Sequence, residues 1–406
     1  MSNRVPQRIL VAPSGFKESL CAESVATAIA AGVRRVLPGV RVDTAPIADG
    51  GEGTARTLAA ATRGQLHDAV VTGPVGQAVT AQWATLGGSA TGVAVVEMAA
   101  AAGLSLVPAD MRDPGATTTY GVGQLIAAAL DAGAEQILVG CGDSGTCDGG
   151  AGALQALGAR ILDAEGIEIG LGGNELTRAV SIDRSGLHPR LADVEVVLAC
   201  NPHNVLCGSG GVARVFGPQK GASTTQVERL SEALENWADV LERDGVHDGD
   251  IRHGLGTGAS GGLGAGLAAG VGAALRSRFD ALLDSGLSGI DLDRRIRKAD
   301  LVITAEGSID FQTPKGKVPA EVARRCQRLG VPLIALAGSL GQGAPAVHDV
   351  GIAAIASIIT VPMPLAEAVA NGESLLTDAA ERTMRMILLG GAVSARSGGK
   401  RRKGAA

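Results

Sequence analysis

The sequence is most restricted where an apolar run, residues 136–139, closes on Gly140-Cys141-Gly142-Asp143-Ser144-Gly145-Thr146-Cys147-Asp148-Gly149-Gly150. The run reads as a buried strand, and helical sequence opens at about residue 151. Glycines let a backbone approach a ligand closely and take positive φ. The helix start that follows offers N–H groups and the positive end of a dipole, which suits an anion. Asp148 adds a carboxylate at the same place, able to hold a metal ion or take a proton. An ordinary tight strand-to-helix turn accounts for the same residues, so this loop alone decides nothing.

The rest of the chain repeats the pattern. Residues 8–12 read as a buried parallel strand, followed by Pro13-Ser14-Gly15-Phe16-Lys17 and a helix over 24–36, with Val25, Ile29, Val33 and Val36 on one face. The P-loop pattern is absent, and Lys17 is either a phosphate contact or a solvated loop lysine. A second strand, 40–46, leads into Ala48-Asp49-Gly50-Gly51-Glu52-Gly53-Thr54 and a helix over 55–62. Helix capping explains the two acids but not the three glycines between and beside them. From about residue 66 shorter alternating runs (68–71, 79–86, 91–98) predict a β-rich piece. A helix over 122–132, the strand and loop already described, a strand over 194–199 and a long helix over 225–244 follow. Residues 254–272 hold glycines 256, 258, 261, 262, 264 and 266, interleaved with Leu and Ala at helical intervals. That spacing predicts a close-packed helix start exposing backbone N–H groups rather than a flexible linker. The α/β style returns with a strand at 301–304 ending in Glu306-Gly307-Ser308-Ile309-Asp310, then Lys315 and Lys317. A helix (319–329), strands (332–337 and 352–359) and a helix (373–389) complete it.

The expected fold class is therefore α/β with two domains. Residues 1–65 with 286–390 form a parallel sheet from both chain ends, residues 66–285 an inserted mixed α/β domain, and the active site lies in the cleft. Residues 391–406, rich in Gly, Ser, Lys and Arg, are expected to be a disordered basic tail. A length of 406 residues fits two domains. A net charge of -5 and 2% aromatic residues argue against nucleic acid as a partner. Residues 1–5 read as running straight into the first strand, so no leader sequence is expected, and the apolar run at 351–361 is too short to span a bilayer; no membrane is expected and the cytoplasm is. The six cysteines include no CxxC pair and are expected as buried reduced thiols.

Taken together, Pro13 to Leu20, Ala48 to Thr54, Phe216-Gly217-Pro218-Gln219-Lys220-Gly221-Ala222, Ala259 to Leu267 and Glu306 to Thr313 resemble the signatures of bacterial type I glycerate kinases, in the same order and over about residues 9–389. The resemblance implies a flavodoxin-like domain, a second restriction-enzyme-like domain, and ATP- and Mg²⁺-dependent phosphorylation of a glycerate hydroxyl. On it, Asp49, Glu52 or Asp310 hold the metal, Lys17 and Lys220 neutralise phosphoryl and carboxylate charge, and Asp148 accepts the hydroxyl proton. Ser14, Gly256, Gly258, Gly261, Gly262, Lys315 and Lys317 are expected at the nucleotide. Ser144, Thr146 and Asn204 are expected at the substrate. The sequence departs from the family pattern at Cys141, Asp143, Gly145 and Cys147, and at Asn201 and Val205, where that pattern has an acid and a proline. A kinase for a related hydroxy acid and a silent hydroxy-acid sensor are the rival readings; a homo-oligomer is left open.

Overall fold

The computed structural model describes residues 5–16 and 19–403, without the side chains of 394–403. In chain order the elements begin with β1 (Arg8–Val11), α1 (Ala22–Val36), β2 (Arg41–Thr44), α2 (Thr54–Thr62), β3 (Gln65–Thr72), β4 (Ala78–Thr85) and β5 (Val93–Glu97). Next come α3 (Met98–Ala102), α4 (Tyr120–Asp131), β6 (Gln136–Gly140), α5 (Ala151–Ala156), β7 (Arg160–Leu162), β8 (Ser181–Asp183) and β9 (Glu195–Cys200). They continue with α6 (Val212–Phe216), α7 (Thr224–Asp244), α8 (Ala259–Val271), β10 (Ala274–Ser277), α9 (Leu292–Arg297) and β11 (Leu301–Ile309). The last are α10 (Val318–Leu329), β12 (Leu333–Leu340), β13 (Ala354–Ser357), α11 (Leu365–Ala370) and α12 (Gly372–Lys403).

The chain divides into two units, residues 1–47 with 290–406, and residues 48–289. The first is a five-stranded sheet in the order β13-β12-β11-β1-β2, parallel throughout. Counted within the unit this is the 2-1-3-4-5 order of flavodoxin-like folds. Parallel strands covered on both faces need continuous apolar runs, and Ile9, Leu10 and Val11 are all buried. Helix α1 buries Val25, Ile29 and Val33 in the same cluster as Leu376, Ala380 and Met384 of α12. Strand order reverses between β1 and β11, so their carboxyl ends, with Ser14 and Glu306, border the crevice where such sheets take ligands.

The second unit is a six-stranded mixed sheet, β10-β9-β6-β5-β4-β3, with β5, β6, β9 and β10 parallel and the β3–β4–β5 meander antiparallel. β7 and β8 form a separate hairpin. The aromatic residues of its main buried cluster are Trp83 and the fully buried Trp237, whose indole N–H donates to the Gly149 carbonyl at 3.0 Å.

Two expectations shift. Residues 48–65 belong to the second unit, because Ala55, Leu58 and Ala59 of α2 pack with Ala84, Leu86 and Val95. Residues 391–403 continue α12 rather than forming a tail, since a helix already nucleated propagates through Ala, Val, Ser and Arg at little further cost. Residues 404–406 lie outside the described ones. Among the described residues no helix is long and apolar enough to cross a membrane.

Candidate active site

In the second unit the parallel strands bring four loops to one edge. Glu97 pairs with Gly140, Gly140 with Ala199, and Cys200 with Ser277. The residues that follow each strand therefore emerge side by side, at the carboxyl ends where α/β sheets carry their sites. Across this edge lies the turn 49–53. A Cβ on Gly142 would stand 2.7 Å from the Gly51 Cα, and one on Gly50 would stand 3.1 Å from the Cys141 nitrogen. The two loops touch backbone to backbone, which explains glycine on both sides.

The turn is held through its N–H groups. Gly50 donates to Thr54 Oγ1 at 3.1 Å and Gly51 to Asp49 Oδ1 at 3.1 Å. Glu52 N donates to Asp143 Oδ2 at 3.3 Å. Gly53 N donates to Glu97 Oε2 at 3.1 Å, and Ala55 N to Glu97 Oε1 at 2.5 Å. Burial pushes the Glu97 carboxyl up to about 7, with the Ala55 and Gly53 donors pulling it down and the charges of Glu52 and Asp143 adding to the rise. A Cβ on Gly51 would lie 2.5 Å from Asp143 Oδ2 and 3.2 Å from Asp49 Oδ1, so one glycine separates two carboxylates. Asp143 takes φ 54°, a left-handed conformation unusual for a residue with a side chain. Arg278, at the end of β10, donates from Nη1 to the Asp49 carbonyl at 3.3 Å and stands 3.7 Å from its carboxylate.

Beneath the loop 141–150 lies Lys220, 2% exposed. Its Nζ donates to Ser144 Oγ at 2.8 Å and to the Thr146 carbonyl at 2.7 Å. Because Ser144 Oγ accepts from an ammonium, its own hydrogen remains to be donated, and Ser144 is only half-buried. The Thr146 hydroxyl is buried with no hydrogen-bond partner among the described residues. Asp148 is fully buried. Its Oδ2 accepts from Thr119 N at 2.7 Å, Thr119 Oγ1 at 2.8 Å and Gly152 N at 3.3 Å, and Oδ1 from Gly150 N at 3.2 Å. Burial raises its pKa against the pull of those donors. As placed, this carboxylate joins the starts of α4 and α5 rather than facing a ligand.

The glycine-rich stretch packs inward as well. A Cβ on Gly258 would strike the Val205 carbonyl, one on Gly261 the Thr146 carbonyl, and one on Gly256 would stand 2.5 Å from Cys200 Sγ. Gly262 lies against Gly149 Cα, at 2.7 Å from its Cβ position. Ser260, Gly261 and Gly262 leave helical φ/ψ, so the regular part of α8 begins after them. These glycines bring the chain's own backbones together around the loop. Asn204 joins them through its carbonyl, which accepts from Gly258 N at 3.0 Å.

In the first unit, Ser14 Oγ donates to the Ala305 carbonyl at 3.1 Å. Lys317 Nζ lies 3.3 Å from Glu306 Oε1 and 3.6 Å from Asp310 Oδ1. Lys315 is exposed, with its ammonium 5.5 Å from the Phe311 ring centroid. Lys17 lies outside the described residues. Asp49 and Glu52 thus belong to one unit and Asp310 to the other, and no group of three acidic, His or Cys side chains among the described residues is arranged to hold a metal.

Sequence reasoning did not single out Glu97, Thr119 or Arg278, and it noted Asp143 as a departure from the family pattern whose carboxylate could stand in for the acid replaced at Asn201. The available signal for Glu97 was an acid closing four apolar residues, Val93-Ala94-Val95-Val96.

Comparison with known proteins adds the identity of the scaffold. Residues 9–388 match the model of the glycerate kinase family. The chain is 45% identical over 380 residues to a glycerate kinase of Bacillus subtilis (strain 168), covering 94% of this chain and 96% of that protein. It is 43% identical over 353 residues to glycerate 2-kinase of Escherichia coli (strain K12), covering 87% and 91% respectively. The crystal structure of a putative glycerate kinase 2 from Salmonella typhimurium LT2 superposes with a TM-score of 0.72 at 42% identity, over 95% of this chain and 99% of that one.

Proposed function

The chain belongs to the glycerate kinase family and phosphorylates glycerate, with ATP as the phosphoryl donor its kinase family implies, and from that premise we propose how its residues divide the work. We read it as a type I enzyme of the cytoplasm, supported by the order of its motifs and by six free cysteines.

The observation that carries the site reading is that the carboxylates of Asp49 and Asp143 both lie beside Gly51. Magnesium on a nucleotide is typically held by one or two carboxylates, with phosphate oxygens and water completing the shell. Asp49 and Asp143 fit that requirement, with Glu52 beside them; Asp310 belongs to the other unit and takes no part in this assignment. Bound there, the ion supplies charge neutralisation on the phosphates.

Ser144, fixed from below by Lys220, donates its remaining hydrogen to an anionic group of the substrate. Lys220 acts through Ser144 and Thr146 rather than by touching glycerate. Thr146 stays assigned to the substrate on its motif alone, its buried hydroxyl having no hydrogen-bond partner among the described residues. Asp148 is reassigned from proton acceptor to positioning residue, since protein donors reach both its oxygens. Losing the base is tolerable, because phosphoryl transfer through a loose transition state draws mostly on alignment and charge stabilisation. Ser14, Lys315 and Lys317 stay assigned to the nucleotide, and Lys17 to the transferred phosphoryl group on its motif alone.

The test is an ADP-release assay with D-glycerate, ATP and Mg²⁺, with phosphorus NMR of the product. Steady turnover giving 2-phosphoglycerate is expected; the name of the Escherichia coli relative supports that position. A 3-phosphoglycerate signal overturns the position assigned. Asp143→Asn should lower kcat/KM at least 100-fold at limiting Mg²⁺, with an unchanged Tm. Near-normal turnover in that variant removes Asp143 from the metal.

A further inference from the structure

We infer that Glu97 is a positioning residue for the kinase reaction, holding the turn 49–53 in the conformation that sets the carboxylates of Asp49 and Asp143 beside Gly51. The inference rests on the metal reading of those two aspartates.

Glu97 is the last residue of β5 and is 6% exposed. It reaches across more than 40 positions of sequence to accept from Gly53 N and Ala55 N. Those groups open α2, whose N-cap is Gly53 at φ 93°. A glycine has no side chain with which to cap, so the first N–H groups of the helix depend on an acceptor from elsewhere. Glu97 supplies both of its oxygens to them. The positive end of the helix favours the charge, but a buried carboxylate still carries a desolvation penalty. A serine or threonine at the cap is the ordinary solution for a helix that needs only an end. The distant glutamate does something a local cap does not: it ties the turn to the strand row that carries Gly140.

The neighbouring contacts show what that tie controls. Gly51 donates within the turn, Gly50 donates to Thr54 at the start of α2, and Glu52 donates to Asp143. Glu97 and Asp143 are therefore the two acceptors in this set that come from distant sequence, and they act at successive N–H groups, Glu52 and Gly53. Glu97 fixes the far side while Asp143 faces the near side. Release of the Glu97 bonds loosens the Gly53 end of the turn while α2 stays packed, and with it the backbone that carries Asp49. Groups that orient a metal's ligands typically influence affinity 10- to 100-fold without touching the ion.

The experiment uses the full-length enzyme and three variants, Glu97→Gln, Glu97→Asp and Asp49→Asn. The readouts are the Mg²⁺ concentration for half-maximal rate, KM for glycerate, Mn²⁺ affinity by electron paramagnetic resonance with a non-hydrolysable ATP analogue, and amide hydrogen exchange across 50–55. Glu97→Gln is expected to raise the Mg²⁺ requirement and weaken Mn²⁺ binding about tenfold or more. Exchange at 50–55 should speed up by a similar factor, and KM for glycerate should stay within about twofold. A drop in kcat alone, with Mg²⁺ requirement and exchange unchanged, overturns the inference. So does a Mg²⁺ requirement that rises in Asp49→Asn but not in Glu97→Gln. An unchanged requirement in Asp49→Asn overturns the metal reading and the inference with it. Should Glu97→Gln fail to fold, Glu97→Asp, which keeps the charge and shortens its reach, is held to the same criteria.

Discussion

Glu97 keeps its carboxyl where water scarcely reaches, and that has a sign that can be measured. Burial lifts its pKa from the ordinary 4.5 to about 7. Between those values the folded protein holds a proton that the unfolded chain has released, so stability falls as pH rises through the window. The deficit is complete above pH 7 and amounts to roughly 3 kcal/mol at about 1.4 kcal/mol per unit. Urea unfolding in metal-free buffer at pH 5 and pH 8 checks it. Glu97→Gln should lose on the order of 2–3 kcal/mol less than the unmodified protein between the two; equal losses would show that another group carries the dependence. The same variant should bind metal less well, so stability and function pull in opposite directions at this residue. Lys220 and Asp148 could be picked out in the sequence by their glycine-rich settings. The direction in which each side chain points could not. A carboxylate facing a ligand and one accepting from Thr119 N leave the same trace in a loop, and only the return of residues 117–119 beneath the loop separates them.

At the level of elements, α8 shows why glycine counts were informative and still misleading. Gly266 lies inside the helix, where Ala is intrinsically favoured by about 1 kcal/mol. A Cβ there would strike the Gly149 carbonyl and stand 2.9 Å from the Gly150 Cα. Backbone cannot give way as a side chain does, so overpacking wins over propensity. Gly266→Ala is expected to destabilise by about 2 kcal/mol or more in chemical denaturation. Gly390 in α12 has nothing within 4 Å of its Cβ position, and Gly390→Ala should be neutral or stabilising by up to about 1 kcal/mol. A Gly266→Ala protein as stable as its parent would refute the close packing of α8 on the loop. The sequence carried the strands with long apolar or alternating runs, among them β1, β4, β5, β6 and β9. It did not carry β10, whose Ala-Leu-Arg-Ser has no β-branched residue, or the three-residue strands β7 and β8. Yet β10 is the strand that delivers Arg278. Its edge position is set by pairing with β9, a long-range contact that no local pattern encodes.

On the scale of the whole chain, the division into units has an unequal covalent form. The core clusters of the second unit draw every residue from one continuous stretch, Ala55 to Leu282. The core of the first combines Ile9 to Val33 with Leu301 to Met384, so it closes only after the chain has returned. Stability follows buried apolar surface, and a stretch that contains its own two clusters and a complete six-stranded sheet has what a domain needs. Residues 48–289 expressed alone should therefore fold. Far-ultraviolet circular dichroism should show mixed α/β content, and urea should unfold the fragment in one cooperative step. It retains Asp49, Asp143, Ser144 and Lys220, and it lacks Ser14, Lys315 and Lys317. On the proposed assignment it should bind Mn²⁺ weakly and turn over no ATP. A fragment without a cooperative transition would mean that the second unit depends on the first for its folding, and measurable kinase turnover by the fragment would remove the first unit's residues from the nucleotide.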